Sequence, residues 1–153
     1  FGYEVSDPIR YGVISFDEKN KPMKITEKPR EPDSNIAVTG LYFFDEKASE
    51  RAKTLSPSQR GELEITSLLE IYLREKTLDI HVLKNGNAWL DMGTHENLLD
   101  ASNYVRTLQK RQGLLIGSPD AIAYQNCWIS KHDLKVLAAN YRHTDYGQLL
   151  LGL

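Results

Sequence analysis

Alternation of apolar and polar side chains in the first 45 residues constrains the fold more than any other feature of this sequence. Residues 11–16 and 22–28 alternate in this way and flank five charged or polar residues, a pattern that predicts a β-hairpin. Residues 35–45 are rich in β-branched and aromatic side chains and predict another strand, with Gly40 in its middle. Glycine within a strand is typical of a bulge or of close approach by a ligand. The amino-terminal part of the chain is therefore expected to form a β-sheet.

Later segments add two short strands and a series of helices. Residues 78–84 and 88–91 predict strands on either side of a turn at 85–87. Helices are predicted where apolar residues recur at helical spacing or where capping residues occur, over 46–55, 64–76, 95–113, 130–141 and 145–153.

The order of these elements predicts the fold class. Strands and helices are mixed through residues 1–113, whereas residues 114–153 are predicted to be helical. This order predicts an α/β fold with a helical appendage at its carboxyl end. Strands that follow one another around hairpins also leave room for antiparallel pairing, so a mixed sheet is expected.

The bulk composition argues against several classes of protein. The formal net charge is -2 over 153 residues, which argues against a nucleic-acid-binding surface. No apolar run approaches the roughly 20 residues that a membrane-spanning helix needs. The single cysteine, Cys127, cannot form a disulfide within the chain and fits a reducing compartment such as the cytoplasm.

Polar and charged residues gather where the predicted strands end, which is where open α/β sheets bind ligands. Lys28 and Arg60 are suited to a phosphate group, lysine as a point charge and arginine as a two-pronged donor. Glu27 is suited to hydrogen bonds with sugar hydroxyls, and Gly12 and Gly40 would let the backbone approach a ring. Each also has an ordinary structural interpretation, with Glu27 and Lys28 as a solvated strand end and Arg60 as a loop salt bridge.

Asp91 stands at the predicted junction between a strand and the helix that follows. A carboxylate there can bind Mg²⁺, a hard cation that takes carboxylate oxygens and keeps water or phosphate at its other positions. It can equally stabilise the helix amino terminus, where acidic side chains are favoured. Trp89, two residues earlier, is either part of the core or part of a ligand platform. The residues alone leave these alternatives open.

Four short segments together carry a resemblance to a known family. They read EKP at 27–29, VTGLYF at 38–43, RGELEIT at 60–66 and WLDMGT at 89–94. Through these segments the chain resembles the carboxyl-terminal half of the glucose-1-phosphate thymidylyltransferases, which are sugar-phosphate nucleotidylyltransferases. The likeness extends from about Tyr3 to Leu151. It implies the carboxyl-terminal part of a Rossmann-like mixed-sheet nucleotidyltransferase fold with a helical appendage.

The resemblance also implies an activity and a set of site residues. The family joins dTTP to glucose 1-phosphate, releases pyrophosphate and makes dTDP-glucose, the precursor of dTDP-rhamnose. Residues implied to bind substrate are Tyr11, Gly12, Glu27, Lys28, Val38, Gly40, Tyr42, Arg60 and Trp89. Lys28, Arg60 and Asp91 are implied to be catalytic, with Asp91 also a ligand of the Mg²⁺ cofactor.

The same resemblance implies how the chain is divided and assembled. Residues 1–113 correspond to the sugar-phosphate-binding part, and residues 114–153 to a helical segment for assembly or regulation. The family further implies a cytoplasmic homotetramer, assembled through the predicted helix 95–112 and the carboxyl-terminal helices. Neither nucleic acid nor a membrane is expected as a partner.

The sequence departs from the family pattern in several places. The glycine-rich triphosphate loop, the residues that read the base and a second metal-binding acid belong to an amino-terminal half that this sequence does not include. Ser67, Leu68 and Leu69 stand where the family commonly has an Asp-Ile/Val-Asn run. Gln125 stands where many members have arginine, at the family's secondary, regulatory nucleotide site.

Two classes of protein remain open. A chain that starts at Phe1 without an initiator Met is expected to be a fragment of the enzyme, inactive without the triphosphate loop. The alternative is a stand-alone sugar-phosphate-binding or assembly module without catalysis. Within the enzyme class, a uridylyl- or guanylyltransferase is the second possibility, because the base is read by residues outside this sequence.

Overall fold

The computed structural model describes residues 1–84 and 86–153 and contains two compact units, residues 1–89 and residues 90–153. The first unit contains a mixed β-sheet with helices, and the second unit is helical. The α/β class expected from the sequence is therefore confirmed. The functional division at residue 113 stays a prediction. No helix among the described residues is both long and apolar enough to cross a membrane.

The secondary structure follows the predicted order in part, and strand β1 was not predicted. The described strands are β1 (Gly2–Glu4), β2 (Gly12–Phe16), β3 (Pro22–Glu27), β4 (Ile36–Val38) and β5 (Val82–Leu83). The described α-helices are α1 (Ala48–Lys53), α2 (Ile65–Arg74), α3 (His95–Gln112), α4 (Pro119–Gln125), α5 (Lys131–Ala139) and α6 (Asp145–Leu151). The sheet order is β3–β2–β4–β1–β5, with β1 and β5 parallel and the other neighbouring pairs antiparallel.

The predicted hairpin is confirmed as β2 and β3, and it carries the core of the first unit. Ile14 pairs with Ile25 in the middle of the hairpin, and both side chains are buried. They pack in one cluster with Leu69 of α2. Full burial of an aliphatic side chain of this size contributes roughly 1.5–3 kcal/mol. This cluster therefore fixes α2 against the hairpin.

The aromatic strand predicted after the hairpin ends early. β4 stops at Val38, so Gly40 lies beyond the strand rather than in its middle. Phe44, in the segment that follows, packs on α2 instead, with its ring 5.5 Å from that of Tyr72. The Tyr72 hydroxyl also donates a hydrogen bond to Asp45. Side-chain packing on the helix therefore draws this segment away from the sheet.

The strands predicted at 78–84 and 88–91 are reduced to β5, and residues 88–91 form no strand. This corrects the expectation that a strand end carries Asp91, which lies instead in an irregular segment before α3. Within this segment Trp89 packs on Tyr3 and Tyr11, and Asp91 accepts a hydrogen bond from Asn97. The predicted turn at 85–87 includes Asn85, which lies outside the described residues.

The second unit packs α4, α5 and α6 around a small core. Its buried side chains are Ala121, Leu134, Ala138 and Leu150. Gly113 ends α3 with a φ of 66°, as predicted, and the predicted capping box of Ser130 and Asp133 opens α5. Helix α4 was not predicted, although Ser118 caps it and Pro119 occupies its first turn.

Candidate functional site

The open end of the hairpin, where β2 begins and β3 ends, brings together four residues that the sequence singled out. Gly12 pairs with Glu27 across the ladder, and the Lys28 amide donates to the Tyr11 carbonyl over 3.0 Å. Lys28 has a φ of 41°, in the left-handed region that residues with a Cβ rarely adopt. Backbone strain of this kind concentrates at functional sites. It therefore favours the functional interpretation of this strand end over the ordinary one.

The Glu27 carboxylate is the centre of this site. Its Oε1 lies 3.8 Å from Lys28 Nζ and 3.6 Å from Arg60 Nη1, so one oxygen faces both cations. The Glu27 side chain is 21% exposed, whereas those of Lys28 and Arg60 are 43% and 42% exposed. Ion pairs of such exposed cations contribute little to stability, because water screens them. Both cations are therefore accessible to a charged ligand.

Thr66 and Gly12 fix the other carboxylate oxygen. Thr66 Oγ1 donates to Glu27 Oε2 over 3.1 Å, and Thr66 is buried in the first turn of α2. A Cβ on Gly12 would lie 2.7 Å from Thr66 Cγ2 and 3.2 Å from Glu27 Oε2. The missing side chain of Gly12 therefore makes room for this hydrogen bond. Sequence reasoning missed Thr66, although it is the last residue of the RGELEIT segment.

Arg60 lies in the loop before α2 and contacts two further carboxylates. Its Nη2 is 3.2 Å from Glu62 Oε2, and its Nη1 is 3.4 Å from Glu64 Oε1. The loop salt bridge that was the ordinary interpretation of Arg60 is therefore present. The same guanidinium nonetheless reaches Glu27, so the two interpretations are compatible.

Val38 and Tyr42 form an apolar wall beside the site. Both pack against the buried core of the first unit, and Val38 Cβ lies 3.7 Å from the position of a Cβ on Gly12. Burial, and then the negative charge of Glu27, raise the pKa of the Tyr42 hydroxyl. Tyr42 therefore stays protonated at neutral pH and can donate a hydrogen bond. Gly40, by contrast, faces open space, with no described atom within 4 Å of an added Cβ.

Trp89 packs between two tyrosines of the first unit. Its ring centroid lies 5.1 Å from that of Tyr11 and 5.9 Å from that of Tyr3. Tilted and edge-on aromatic pairs at these distances stabilise by about 0.5–1.5 kcal/mol beyond burial. Trp89 is therefore anchored next to Tyr11, whose carbonyl holds Lys28. It is part of the packing and also borders the open end of the hairpin.

The first unit also contains a cavity of about 380 Å³, which shares Val38 and Tyr42 with the wall. Most of its other lining is apolar or aromatic, and it includes Phe1, Ile14 and Leu69. Its lining does not include Glu27 or the two cations. A phosphate group needs cationic hydrogen-bond donors. The charged hairpin end, rather than this cavity, is therefore the better candidate for a phosphate ligand.

Asp91 belongs to the second unit, where it is only partly exposed. The Asn97 side-chain amide donates to Asp91 Oδ2 over 3.2 Å, and the N-cap of α3 is Thr94, whose Oγ1 accepts from the Asn97 backbone amide. Because Thr94 supplies the cap, the helix does not need Asp91 for that role. The described residues contain no group of three or more His, Cys, Asp or Glu that could hold a metal. One protein carboxylate can suffice for Mg²⁺, which commonly takes one or two carboxylates and completes its shell with water and phosphate.

The predicted site residues are thus grouped only in part. The hairpin end and its surroundings hold Tyr11, Gly12, Glu27, Lys28, Val38, Tyr42, Arg60 and Trp89. Gly40 lies past the end of β4 in open space, and Asp91 lies in the other unit. The substrate and metal roles of all these residues stay predictions.

A mixed β-sheet with helices, and a carboxylate between two accessible cations at a hairpin end, are the features of the first unit that the comparisons have to match. The chain belongs to the nucleotidyl transferase family, whose model matches residues 1–108. Over all 153 residues it is 51% identical to a glucose-1-phosphate thymidylyltransferase of Xanthomonas campestris pv. campestris. It is 48% identical to the enzyme of that name from Neisseria gonorrhoeae. The chain spans about half the length of these curated relatives, 52% and 53% respectively.

A solved structure supports the same fold. The crystal structure of a candidate glucose-1-phosphate thymidylyltransferase from Bacillus anthracis, in complex with a sucrose, is similar to this chain with a TM-score of 0.63 and 38% identity. The similarity covers 76% of this chain and 44% of the other. The expected nucleotidyltransferase fold is therefore confirmed.

Proposed function

We propose that this chain forms the sugar-1-phosphate-binding half of a glucose-1-phosphate thymidylyltransferase. That enzyme would convert dTTP and glucose 1-phosphate to dTDP-glucose and pyrophosphate. The observation that carries the proposal is the Glu27 carboxylate, one oxygen of which lies within 4 Å of both Lys28 and Arg60. A carboxylate between two cations matches a ligand that has hydroxyls next to a phosphate. The relatives named above support the proposal, because they are 51% and 48% identical to this chain over about half of their own length.

The site residues divide into two groups by chemistry. The Glu27 carboxylate would accept hydrogen bonds from the sugar hydroxyls, while the Gly12 backbone and the Tyr42 wall would pack against the ring. Lys28 and Arg60 would bind the phosphate, with Arg60 able to offer two parallel N–H donors. Thr66 keeps Glu27 in one orientation, because it donates to the oxygen that does not face the cations.

The reaction needs charge neutralisation and alignment more than proton transfer. A phosphate oxygen of the sugar phosphate would attack the α-phosphorus of the triphosphate, and the bond to the pyrophosphate oxygen would break. That phosphate is already ionised at neutral pH, so no general base is required. Lys28 and Arg60 would reduce the repulsion between two anions and hold the nucleophile in line. Mg²⁺, if held by Asp91, would supply further positive charge.

Four finer expectations belong to the same proposal. Mg²⁺ is proposed from the resemblance and from the chemistry of the Asp91 carboxylate. A homotetramer, a cytoplasmic location and a place before dTDP-rhamnose are proposed from the resemblance alone. A uridylyl- or guanylyltransferase is the alternative within the family, and a sugar-phosphate-binding module without catalysis is the alternative outside it. Pyrophosphate release by an enzyme of the relatives' length that contains this chain, compared across dTTP, UTP and GTP, separates these possibilities.

The direct test of the proposal is ligand binding by the 153-residue chain. Titration with glucose 1-phosphate, followed by calorimetry or by amide NMR shifts, is expected to give saturable binding centred on the hairpin end. Glucose and inorganic phosphate should each bind more weakly, because each fills only one part of the site. Lys28→Met should weaken glucose 1-phosphate binding by about tenfold or more, since hydrogen bonds to charged groups contribute roughly 1.5–3 kcal/mol.

A matched control for this test is Lys24→Met on the same strand. Lys24 is also an exposed lysine, and its Nζ pairs with Asp33 away from the Glu27 carboxylate. Its loss should leave the affinity for glucose 1-phosphate within about twofold, because the charge lies in solvent. Equal weakening by Lys24→Met and Lys28→Met, or absence of saturable binding to the unmodified chain, would contradict the proposal.

A further inference from the structure

Arg60 contacts two glutamates of its own loop whose side chains differ sharply in exposure. This difference suggests separate roles for them, and those roles rest on the proposed function. The Glu64 side chain is 11% exposed, whereas that of Glu62 is 61% exposed. Both contact the Arg60 guanidinium, at 3.4 Å and 3.2 Å respectively. With Glu27, three carboxylates lie within 4 Å of this one guanidinium, which is unexpected at a site that would bind a dianion unless the carboxylates have different roles.

The loop that carries Arg60 is closed on itself by hydrogen bonds that Ser58 both donates and accepts. The Ser58 amide donates to the Glu62 carbonyl over 2.8 Å, and the Gly61 amide donates to the Ser58 carbonyl over 2.9 Å. Gly61 has a φ of 78°, which a glycine adopts without strain. The Arg60 amide also donates to Ser58 Oγ over 3.1 Å. The backbone of Arg60 is therefore fixed before any ligand arrives.

Glu64 extends this order from the backbone to the guanidinium. Its Oε1 accepts from Ser58 Oγ over 3.0 Å and from Arg60 Nη1 over 3.4 Å. Glu64 directly precedes α2, and two residues later Thr66 donates to Glu27. The start of one helix therefore holds Arg60 through Glu64 and holds the facing carboxylate through Thr66.

The Glu62 side chain, by contrast, lies mostly in solvent where it contacts the Arg60 guanidinium. Counted with Glu27 and Glu64, it gives the cluster three carboxylates against the two cations Lys28 and Arg60. An arriving phosphate dianion has to compete with these carboxylates for Arg60. The exposed Glu62 can swing into water at little cost, because exposed ion pairs are weak.

We propose that Glu64 is a positioning residue that aims Arg60 at the phosphate of the sugar 1-phosphate, and that Glu62 is a counter-ion that the phosphate displaces. Glu64 keeps its hydrogen bonds with Ser58 and Arg60 when the ligand is bound. Glu62 releases the guanidinium, so that the freed Nη2 can bind a phosphate oxygen. Two neighbouring glutamates on one arginine therefore have opposite effects on affinity.

The test compares Glu64→Gln with Glu62→Gln in the 153-residue chain. Each variant removes one negative charge near Arg60, so simple charge repulsion predicts the same modest gain in affinity from both. We expect instead that Glu62→Gln tightens the dissociation constant for glucose 1-phosphate about two- to fivefold. Glu64→Gln is expected to weaken it about fivefold or more, although it also makes the site less negative. Affinity for glucose, which lacks the phosphate, should change by less than about twofold in both variants, as the sugar does not contact Arg60.

Ser58→Ala provides a second route to the same answer. It removes the hydroxyl that links the Arg60 backbone to Glu64, so it should weaken glucose 1-phosphate binding in the same direction as Glu64→Gln. If Glu64→Gln fails to fold by circular dichroism, Ser58→Ala decides the matter. If all three variants change the dissociation constant for glucose 1-phosphate in the same direction, the positioning role is overturned. The proposed function would remain intact. Failure of the unmodified chain to bind glucose 1-phosphate would overturn both.

Discussion

At the scale of single residues, the hydrogen bonds of a side chain help to distinguish a ligand-binding role from a structural one. Asp91 is the clearest case, because its sequence neighbours fit both a metal ligand and a helix-stabilising acid. The structure assigns the cap of α3 to Thr94 and gives Asp91 a hydrogen bond from the Asn97 side chain. The stabilising role of an acid near a helix start is therefore a minor one here, typically a few tenths of a kcal/mol.

Asp91→Asn and Thr94→Ala are expected to have opposite profiles in an enzyme of the relatives' length that contains this chain. Asn keeps the shape of Asp91 but removes the charge that Mg²⁺ prefers, so kcat should fall on the order of a hundredfold with little change in melting temperature. Thr94→Ala removes the cap and should cost about 1 kcal/mol of stability, with kcat nearly unchanged. Measuring kcat against Mg²⁺ concentration, with melting curves for both variants, checks this. Normal turnover of Asp91→Asn at low Mg²⁺ would eliminate the metal role.

At the scale of elements, the sequence predicted those whose signals are local. The signals for the hairpin, for the glycine that ends α3 and for the capping box of α5 lie in neighbouring residues, and all three were confirmed. The segment after Val38 was predicted as strand from its β-branched and aromatic content, but the ring of Phe44 packs on Tyr72 of α2, a residue distant in sequence. In the site, Glu27, Lys28 and Arg60 could be proposed from the sequence. Thr66 could not, because its hydrogen bond to Glu27 joins residues 39 positions apart.

A packing requirement inside α6 provides a prediction at this scale. A Cβ on Gly147 would clash with the Tyr141 backbone carbonyl, which cannot move like a flexible side chain. Gly147→Ala should therefore destabilise the second unit by about 1–3 kcal/mol, although alanine is the better helix former. Gly152→Ala is the matched control, because its added Cβ would lie 3.4 Å from the nearest described atom, the Leu149 carbonyl oxygen. Urea unfolding should show a large loss for the first variant and almost none for the second, and equal losses would refute the argument.

At the scale of the whole molecule, helix α3 carries several large apolar side chains that are exposed in this chain. Leu98, Leu99 and Tyr104 are 48%, 62% and 43% exposed, and they point in different directions around the helix. Ala101 is the only buried residue of α3 among those that the structure describes. Because the three exposed side chains lie on different sides of the helix, they do not form the continuous apolar patch that typically marks a protein–protein contact. Assembly through α3 therefore stays a prediction from the family resemblance.

Leu99→Glu is expected to disrupt that assembly without unfolding the chain. Light scattering of the unmodified 153-residue chain should give a mass above that of one copy, and Leu99→Glu should shift it towards the monomer at the same concentration. The cause would be the cost of burying an unpaired carboxylate in an apolar contact, whereas the same carboxylate in a monomer would lie in water.

Thr107→Glu is the control, since it adds the same charge at another exposed position of α3. The melting temperature of the monomeric form should be similar for both variants, because neither position is buried within the chain. A monodisperse monomer for the unmodified chain, or equal loss of mass in both variants, would show that α3 does not carry the contact.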